Sequence, residues 1–388
     1  MYFLFNKTMK NSKGQYFTED NFLKRSVYQL IKNEGCILEP SVGKGHLPQY
    51  IKSCNPDATF DLYEIDNSLE LLDGIENVTY TDFLREEINK SYNTIVGNPP
   101  YIKTPKGNAY IHFIQRCFKL LNDNGELIFI VPSDFIKLTS SSSLINEMMK
   151  YGTFTDFIFP NNESLFRNAS IDVIVFRYCK DSTLEKICNV NDKVKYLINT
   201  NGILTFKETL EESSLVSDYF DAYVGLVTGN ESVFKNATLG NVDILCSKEN
   251  SKRYILLEEF PSGNSELDNY MKSNKDILLT RKIKKFNEGN WWQWGALRNY
   301  NTIKGKIGTN CIYVSNLTRA KEVAFTGKVQ LFSGSLIILI PKTKIDLNLV
   351  CKCLNSNEFK SDYTFAGRFK IGQRQLLNAS LNIPSNVC

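Results

Sequence analysis

The apolar positions change period along the chain, and those changes mark out its elements. In "FLKRSVYQLIKN" (22–33), Phe22, Leu23, Val27, Leu30 and Ile31 fall at helical spacing on one face. "GCILEP" then predicts a strand, and "SVGKGHLPQYIKS" a tight turn entering a helix. "ATFDLYEID" predicts a second strand, "NSLELLDGI" a short helix, "VTYTDFL" the end of a third strand and "YNTIVGNPPY" a fourth. "AYIHFIQRCFKLLNDNG" predicts a long amphipathic helix with its last Gly as the C-cap. "GELIFIVPSDF" predicts a fifth strand. "FTDFIFP" and "SIDVIVFRYC" add two more, close enough in sequence for an antiparallel hairpin at the sheet edge. Strands separated by helices predict an α/β fold with a doubly wound, mostly parallel sheet.

Past Lys180 the pattern weakens. The mixed-charge stretch 186–215 reads as a connector, between a first domain over 1–185 and a second, mixed α/β domain over 216–388. "YFDAYVGLVTGNESVF" opens the new pattern. A chain of 388 residues exceeds one typical core, so length alone favours two domains.

Composition narrows the class. The chain is 42% hydrophobic and 23% charged with a net charge of +4, which suits a soluble globular protein and permits a nucleic-acid partner without requiring one. There are ten cysteines and two histidines, and the only close cysteine pair is Cys351 and Cys353, so no metal site is expected. Scattered cysteines fit a reducing compartment, the cytoplasm. The N-terminal "MYFLFNKTMK" is too short for a signal peptide, and no apolar run approaches the ~18 residues of a membrane span.

Candidate chemistry clusters at four successive strand ends. In "LEPSVGKGHL", Gly43 and Gly45 allow a tight turn and close backbone approach to a ligand. In "LYEIDN", Glu64 lies 25 residues after Glu39, where an acidic side chain can accept from both hydroxyls of a ribose. In "YTDFL", Asp82 could accept from an adenine amino group while Phe83 packs on the purine face. In "TIVGNPPYIK", two prolines must stop the strand at Gly97 and leave Asn98, Pro99, Pro100 and Tyr101 as a stiff loop. Taken singly, each has a bland reading: a turn, two solvated strand ends, a proline turn with a packed Tyr.

In this order, "EPSVGKGHL", "YEID", "TDFL" and "NPPY" resemble the motifs of S-adenosylmethionine-dependent DNA adenine-N6 methyltransferases of type II modification systems. "SKGQYFTED" (12–20) resembles the segment that closes over the cofactor's methionine end in the Taq-type (gamma) subgroup, whose motif order this chain shares. Leu47, where an aromatic is common, and Glu19, where Pro is usual, depart from the pattern. The resemblance implies a Rossmann-like catalytic domain that binds S-adenosylmethionine through Tyr16, Thr18, Glu39, Pro40, Ser41, Gly43, Gly45, Glu64, Ile65, Asp82, Phe83 and Asn98. It implies that Asn98 and the Pro99 carbonyl accept the N6 hydrogens of a flipped-out adenine, and that the base stacks on Tyr101. A second stacking wall is expected at Tyr178, at the end of "VIVFRY", with Phe176 as the alternative.

The second half would grip double-stranded DNA. Arg281, Lys282, Lys284 and Lys285 precede Trp291, Trp292 and Trp294, and Arg298 follows. Arg368, Lys370, Gln373 and Arg374 recur in "FAGRFKIGQRQL", and basic residues mixed with aromatics suit phosphate and base contacts. The competing reading makes the tryptophans core and the lysines a solvated face. A stand-alone, monomeric methylase is expected, with a cognate endonuclease for the same site as an allowed partner. RNA adenine-N6 methylation, cytosine-N4 methylation and DNA binding without catalysis are the alternatives.

Overall fold

The computed structural model describes residues 15–33, 35–105, 107–167, 170–180, 186–209, 214–365 and 367–381. The N-terminal decapeptide considered above and residues 12–14 of the cofactor segment lie outside them. The chain forms two compact units, 1–211 and 212–388.

The first unit is built on one ten-stranded sheet. Its strands are β1 (Ile37–Glu39), β2 (Phe60–Glu64), β3 (Val78–Tyr80), β4 (Tyr92–Gly97), β5 (Leu121–Pro132), β6 (Thr153–Ile158), β7 (Val173–Cys179), β8 (Ile187–Val190), β9 (Lys193–Thr200) and β10 (Ile203–Lys207). Their order is β10-β9-β8-β6-β7-β5-β4-β1-β2-β3. Strands β3, β2, β1, β4 and β5 are mutually parallel. β7 runs antiparallel between β5 and β6. The chain reverses direction across the sheet between β1 and β4, so their carboxyl ends flank the crevice where such sheets take ligands. The middle strands are buried on both faces: Leu127, Ile128, Phe129, Ile130 and Val131 have no exposed surface.

Helix α1 (Asn21–Leu30) precedes β1, and α2 (His46–Cys54), α3 (Ala109–Lys119) and α4 (Thr139–Tyr151) lie between successive strands. Asp20 caps α1 by accepting from the Leu23 N–H at 3.1 Å, and Leu23, Val27 and Leu30 bury its inner face. α2 starts at Gly45, which sits at φ 91°, and a Cβ there would lie 2.5 Å from Ile75. Gly45 therefore serves the turn and its packing.

Three expectations change. "NSLELLDGI" is a series of turns, because Leu71, Leu72 and Ile75 pack beside Val42 and Leu62 while Gly74 takes φ 79°. α3 ends at Lys119, before Gly125, since β5 already begins at Leu121; a Cβ at Gly125 would stand 2.9 Å from the Tyr92 carbonyl. The stretch 186–215 supplies three strands rather than a bare connector: β8 pairs parallel with β6, and β9 and β10 follow as an antiparallel meander. The β6–β7 pair is antiparallel as its spacing suggested, but β6 is no longer the sheet edge.

The second unit is mixed α/β. A four-stranded antiparallel sheet runs β11-β16-β14-β15, from β11 (Phe220–Val224), β14 (Asn310–Ser315), β15 (Ala324–Lys328) and β16 (Leu336–Pro341). A hairpin of β12 (Val242–Ser247) and β13 (Asn250–Tyr254) and helices α5 (Ser265–Ser273) and α6 (Leu347–Leu354) complete its main elements. No described helix is long and apolar enough to cross a membrane.

Candidate active site

The strand ends that carry polar chemistry converge on one cavity of about 580 Å³ in the first unit. Its lining includes Tyr16, Thr18, Glu39, Pro40, Ser41, Gly43, Glu64, Ile65, Asp82, Phe83 and Asn98. Of the cofactor residues expected from sequence, Gly45 alone is not part of that lining. Pro100 lines it too, whereas Pro99 is buried beside it.

Glu64 ends β2 with both carboxylate oxygens turned to backbone. Oε2 accepts from the Gly43 N–H at 2.8 Å, and Oε1 from the N–H groups of Ile65 at 2.9 Å and Asp66 at 3.0 Å. One side chain thus pins the glycine turn after β1 to the turn after β2. Each oxygen has two acceptor sites, so Oε2 keeps one for a ligand. Asp82 Oδ1 accepts from the Leu84 N–H at 3.1 Å, and Oδ2 pairs with Arg85 at 3.1 Å. Phe83 is buried, stacked on Phe113 at 5.7 Å with Arg116 over its ring at 5.2 Å. Ile65 is 70% exposed at the rim.

Glu39 is the outlier. It is buried at the end of β1, and its Oε2 has no hydrogen-bond partner among the described residues. Burial, and then the charge of Glu64, hold its carboxyl well above the usual carboxylate range.

The loop after β4 is tied from two sides. Asn98 Nδ2 donates to the Tyr16 carbonyl at 2.7 Å and to Thr18 Oγ1 at 3.0 Å. The Tyr101 hydroxyl lies 2.6 Å from Asn98 Oδ1 and 3.0 Å from the Ile130 carbonyl, two acceptors for its one proton. Gly97 lets the strand end approach closely: a Cβ there would meet Phe129 at 3.1 Å. The Tyr101 ring packs 5.6 Å from Tyr16 and 6.0 Å from Phe166.

Tyr178 is not at this site. β7 is antiparallel to β5, pairing Val173 with Pro132 and Glu126 with Cys179. The carboxyl end of β7 therefore lies at the opposite end of the strands from Asn98. Tyr178 is fully buried there, donating to the Met148 carbonyl at 2.8 Å and packing on Phe118 and Phe154. The alternative, Phe176, is core as well, stacked on Phe135 at 5.4 Å. The last residue of a strand reaches the site only where that strand runs parallel to β4, and β7 does not. Tyr16, Tyr110 and Phe166 are the aromatics that meet Tyr101; Phe166 precedes β7 and follows an irregular stretch without periodicity. Phe17, which packs on the glycine turn, also went unnoticed.

In the second unit the expected DNA-contact residues divide. Trp291 and Trp294 are core: Trp294 Nε1 donates to the Ile255 carbonyl at 2.7 Å, and Trp291 stands edge-on to Phe260 at 4.8 Å. Trp292 is half-buried against Phe260. Arg281 is buried, donating to the carbonyls of Leu278, Thr228 and Gln293 at 2.8–2.9 Å and also to that of Trp291. Lys282, Lys284, Lys285 and Arg298 are exposed. Although the Lys284 side chain is exposed as a whole, partial desolvation of its ammonium near Gln293 and Phe286, and then the Arg281 charge, lower it from its usual range. Arg368 and Lys370 sit on a short strand and Arg374 on the short helix Gln373–Leu377. Those segments pack into a different hydrophobic cluster from that of the tryptophans.

Residues 23–166 match the family model "Eco57I restriction-modification methylase". The chain is similar to the type II methyltransferase M.HincII of Haemophilus influenzae, 27% identical over 249 residues that cover 58% of this chain and 48% of that one. It is also similar to M.AccI of Acinetobacter calcoaceticus, 22% identical over 216 residues covering 47% and 37%. The chain spans about half the length, or less, of these relatives. Among solved structures, the type IIL restriction-modification enzyme MmeI in complex with DNA aligns with 93% of this chain and 64% of its own at a TM-score of 0.57 and 10% identity, a likeness of fold.

Proposed function

We propose, taking residues 23–166 as a restriction-modification methylase domain of the Eco57I type, that the chain transfers a methyl group from S-adenosylmethionine to the N6 amino group of adenine in DNA. The observation that carries the reading is the Asn98 amide. Its nitrogen is committed to Tyr16 and Thr18, so its oxygen is the atom offered to an incoming group, and an oxygen recognises an N–H donor.

The cavity fits the cofactor. A buried, unpartnered carboxyl oxygen on Glu39 and the acidic Glu64 and Asp82 suit a ligand that carries cationic and hydroxyl groups. Gly43 keeps the wall open where a side chain would crowd Phe17. Glu64 would hold the ribose hydroxyls, Asp82 and Phe83 the adenine ring, and residues 15–19 the methionine end. Bound there, S-adenosylmethionine supplies an electrophilic methyl group on a sulfonium.

The chain's own residues handle the nucleophile. An exocyclic amine conjugated to a purine ring is a poor nucleophile because its lone pair is delocalised. Asn98 Oδ1 has a second lone pair beside the one facing Tyr101, and with the Pro99 carbonyl it can accept both amine hydrogens. That draws the nitrogen toward tetrahedral geometry and aims its lone pair. The prolines and the two-sided anchoring of Asn98 hold the acceptors before substrate arrives, so little reorganisation remains. The base must leave the duplex to reach them, at a cost of a few kcal/mol.

Charge distribution supports DNA as the partner and residues 212–388 as its grip. That unit carries 23 Lys and Arg against 16 Asp and Glu, whereas residues 1–211 carry 23 against 26. Lys282, Lys284, Lys285 and Arg298 are exposed for phosphate contact. A cognate endonuclease acting on the same site fits this role. Tritiated methyl transfer from S-adenosylmethionine to duplex DNA, RNA and protein in parallel tests the reading, with label expected in DNA. Label in RNA or protein alone would overturn it.

A further inference from the structure

Residues 15–19 lie across the cavity as a strap held at three strand ends. Gln15 Nε2 donates to Asp66 Oδ2 at 3.1 Å, beyond β2. The Phe17 ring sits on the glycine turn beyond β1, with Lys44 Nζ at 5.5 Å and the His46 ring at 6.3 Å. Beyond β4, the Tyr16 carbonyl and Thr18 Oγ1 take both hydrogens of the Asn98 amide, at 2.7 and 3.0 Å. An amide has two orientations related by a half-turn, and only its partners choose between them. Turned over, Asn98 would set Oδ1 against the Tyr16 carbonyl oxygen and leave Thr18 as its one donor. It would then present an NH₂ group, a donor, to a substrate that itself brings N–H donors.

We infer that Thr18 is a positioning residue for the acceptor amide: the Tyr16 carbonyl, which can only accept, selects the orientation with the Asn98 oxygen toward the substrate, and Thr18 holds the amide in it. The inference rests on the proposed function and adds a physical link between cofactor closure and the acceptor. Thr18 is buried, and its hydroxyl oxygen accepts from Asn98 while its own proton remains available to donate into the cavity it lines. A hydroxyl that donates to one group becomes a better acceptor for another, so a ligand drawn to Thr18 tightens the hold on Asn98.

Thr18→Val keeps the shape and removes the acceptor; Thr18→Ser keeps the hydroxyl. At saturating cofactor and DNA, the single-turnover rate of Thr18→Val should fall about tenfold, equivalent to ~1.4 kcal/mol. Thr18→Ser should restore most of it. Calorimetric affinity for the cofactor should fall in Thr18→Val as well, because the hydroxyl lines the cavity, but the rate defect should persist at saturating cofactor. A second readout needs no turnover. In ligand-free protein labelled with ¹⁵N-Asn, the side-chain NH₂ pair assigned through Asn98→Ala should shift in Thr18→Val and stay near its wild-type position in Thr18→Ser. A Thr18→Val enzyme with the wild-type rate at saturation, or a defect confined to cofactor affinity, overturns the inference. So does an unmoved Asn98 resonance. A wild-type chain that methylates no DNA while the resonance shifts as expected would instead refute the proposed function, and the catalytic meaning of the lock with it.

Discussion

Glu39 gives a test that depends on charge and burial alone. Its carboxyl is held well above the ordinary range by burial first and by Glu64 second. In the unfolded chain it titrates near ~4.3. Between that pH and its raised folded value, the native state binds one proton more than the unfolded state. The stability this proton confers is complete below the unfolded pKa and is lost as pH rises, at ~1.4 kcal/mol per pH unit, until the folded value is passed. Glu39→Gln cannot lose a proton. It carries a pH-independent cost of ~1–3 kcal/mol for an amide without a partner, where Oε2 now has none. The variant should therefore be less stable than wild type near pH 4.5 and should close or reverse the gap as pH rises. All three tryptophans belong to the second unit, so their fluorescence does not report this site. Urea unfolding read by hydrogen exchange of the β4 and β5 peptides does. Parallel stability curves for wild type and Glu39→Gln between pH 4.5 and 7.5 would refute the assignment of a buried neutral acid.

Other perturbations separate catalysis, cofactor binding and packing. Asn98→Ala should abolish methyl transfer even at cofactor concentrations that saturate it by calorimetry, whereas Glu64→Ala should raise the cofactor dissociation constant at least tenfold, since charge-assisted bonds of ~1.5–3 kcal/mol are lost. Replacing Lys282, Lys284 and Lys285 together by Ala should weaken DNA binding and flatten its salt dependence, measured by fluorescence anisotropy across salt concentrations. Tyr178→Ala should cost about 3–5 kcal/mol of stability in denaturant titration while a 2-aminopurine at the target position still reports normal unstacking, because the ring is core.

The parallel half of the first unit was legible because its strands end in chemistry. Glu39, Glu64, Asp82 and Asn98 each follow an apolar run, and in a parallel sheet those ends share one edge, so sequence order became a spatial site. The same logic misled at Tyr178, where one antiparallel strand inverted the edge. Strands β8 to β10 showed only as short strand-like pieces at the end of the first domain, because mixed charge masks their alternation; Val194 and Ile187 are exposed, so the apolar signal is split between faces. In the second unit the Arg-Trp stretch looked like a nucleic-acid contact because composition does not record direction. Three donors and two indoles turned inward there satisfy carbonyls and fill a core. The roles of Phe17 and Phe166 depend on loop paths, for which the sequence holds no period.

Nucleoside analysis of methylated DNA tests the central claim most directly. Duplex DNA of mixed sequence is incubated with S-adenosylmethionine and either wild-type protein or Asn98→Ala, digested, and resolved by mass spectrometry. Wild type should yield N6-methyldeoxyadenosine, and Asn98→Ala none. N4-methyldeoxycytidine as the product, or equal N6-methyldeoxyadenosine from both proteins, would contradict the assignment of Asn98 as the acceptor for an adenine amine.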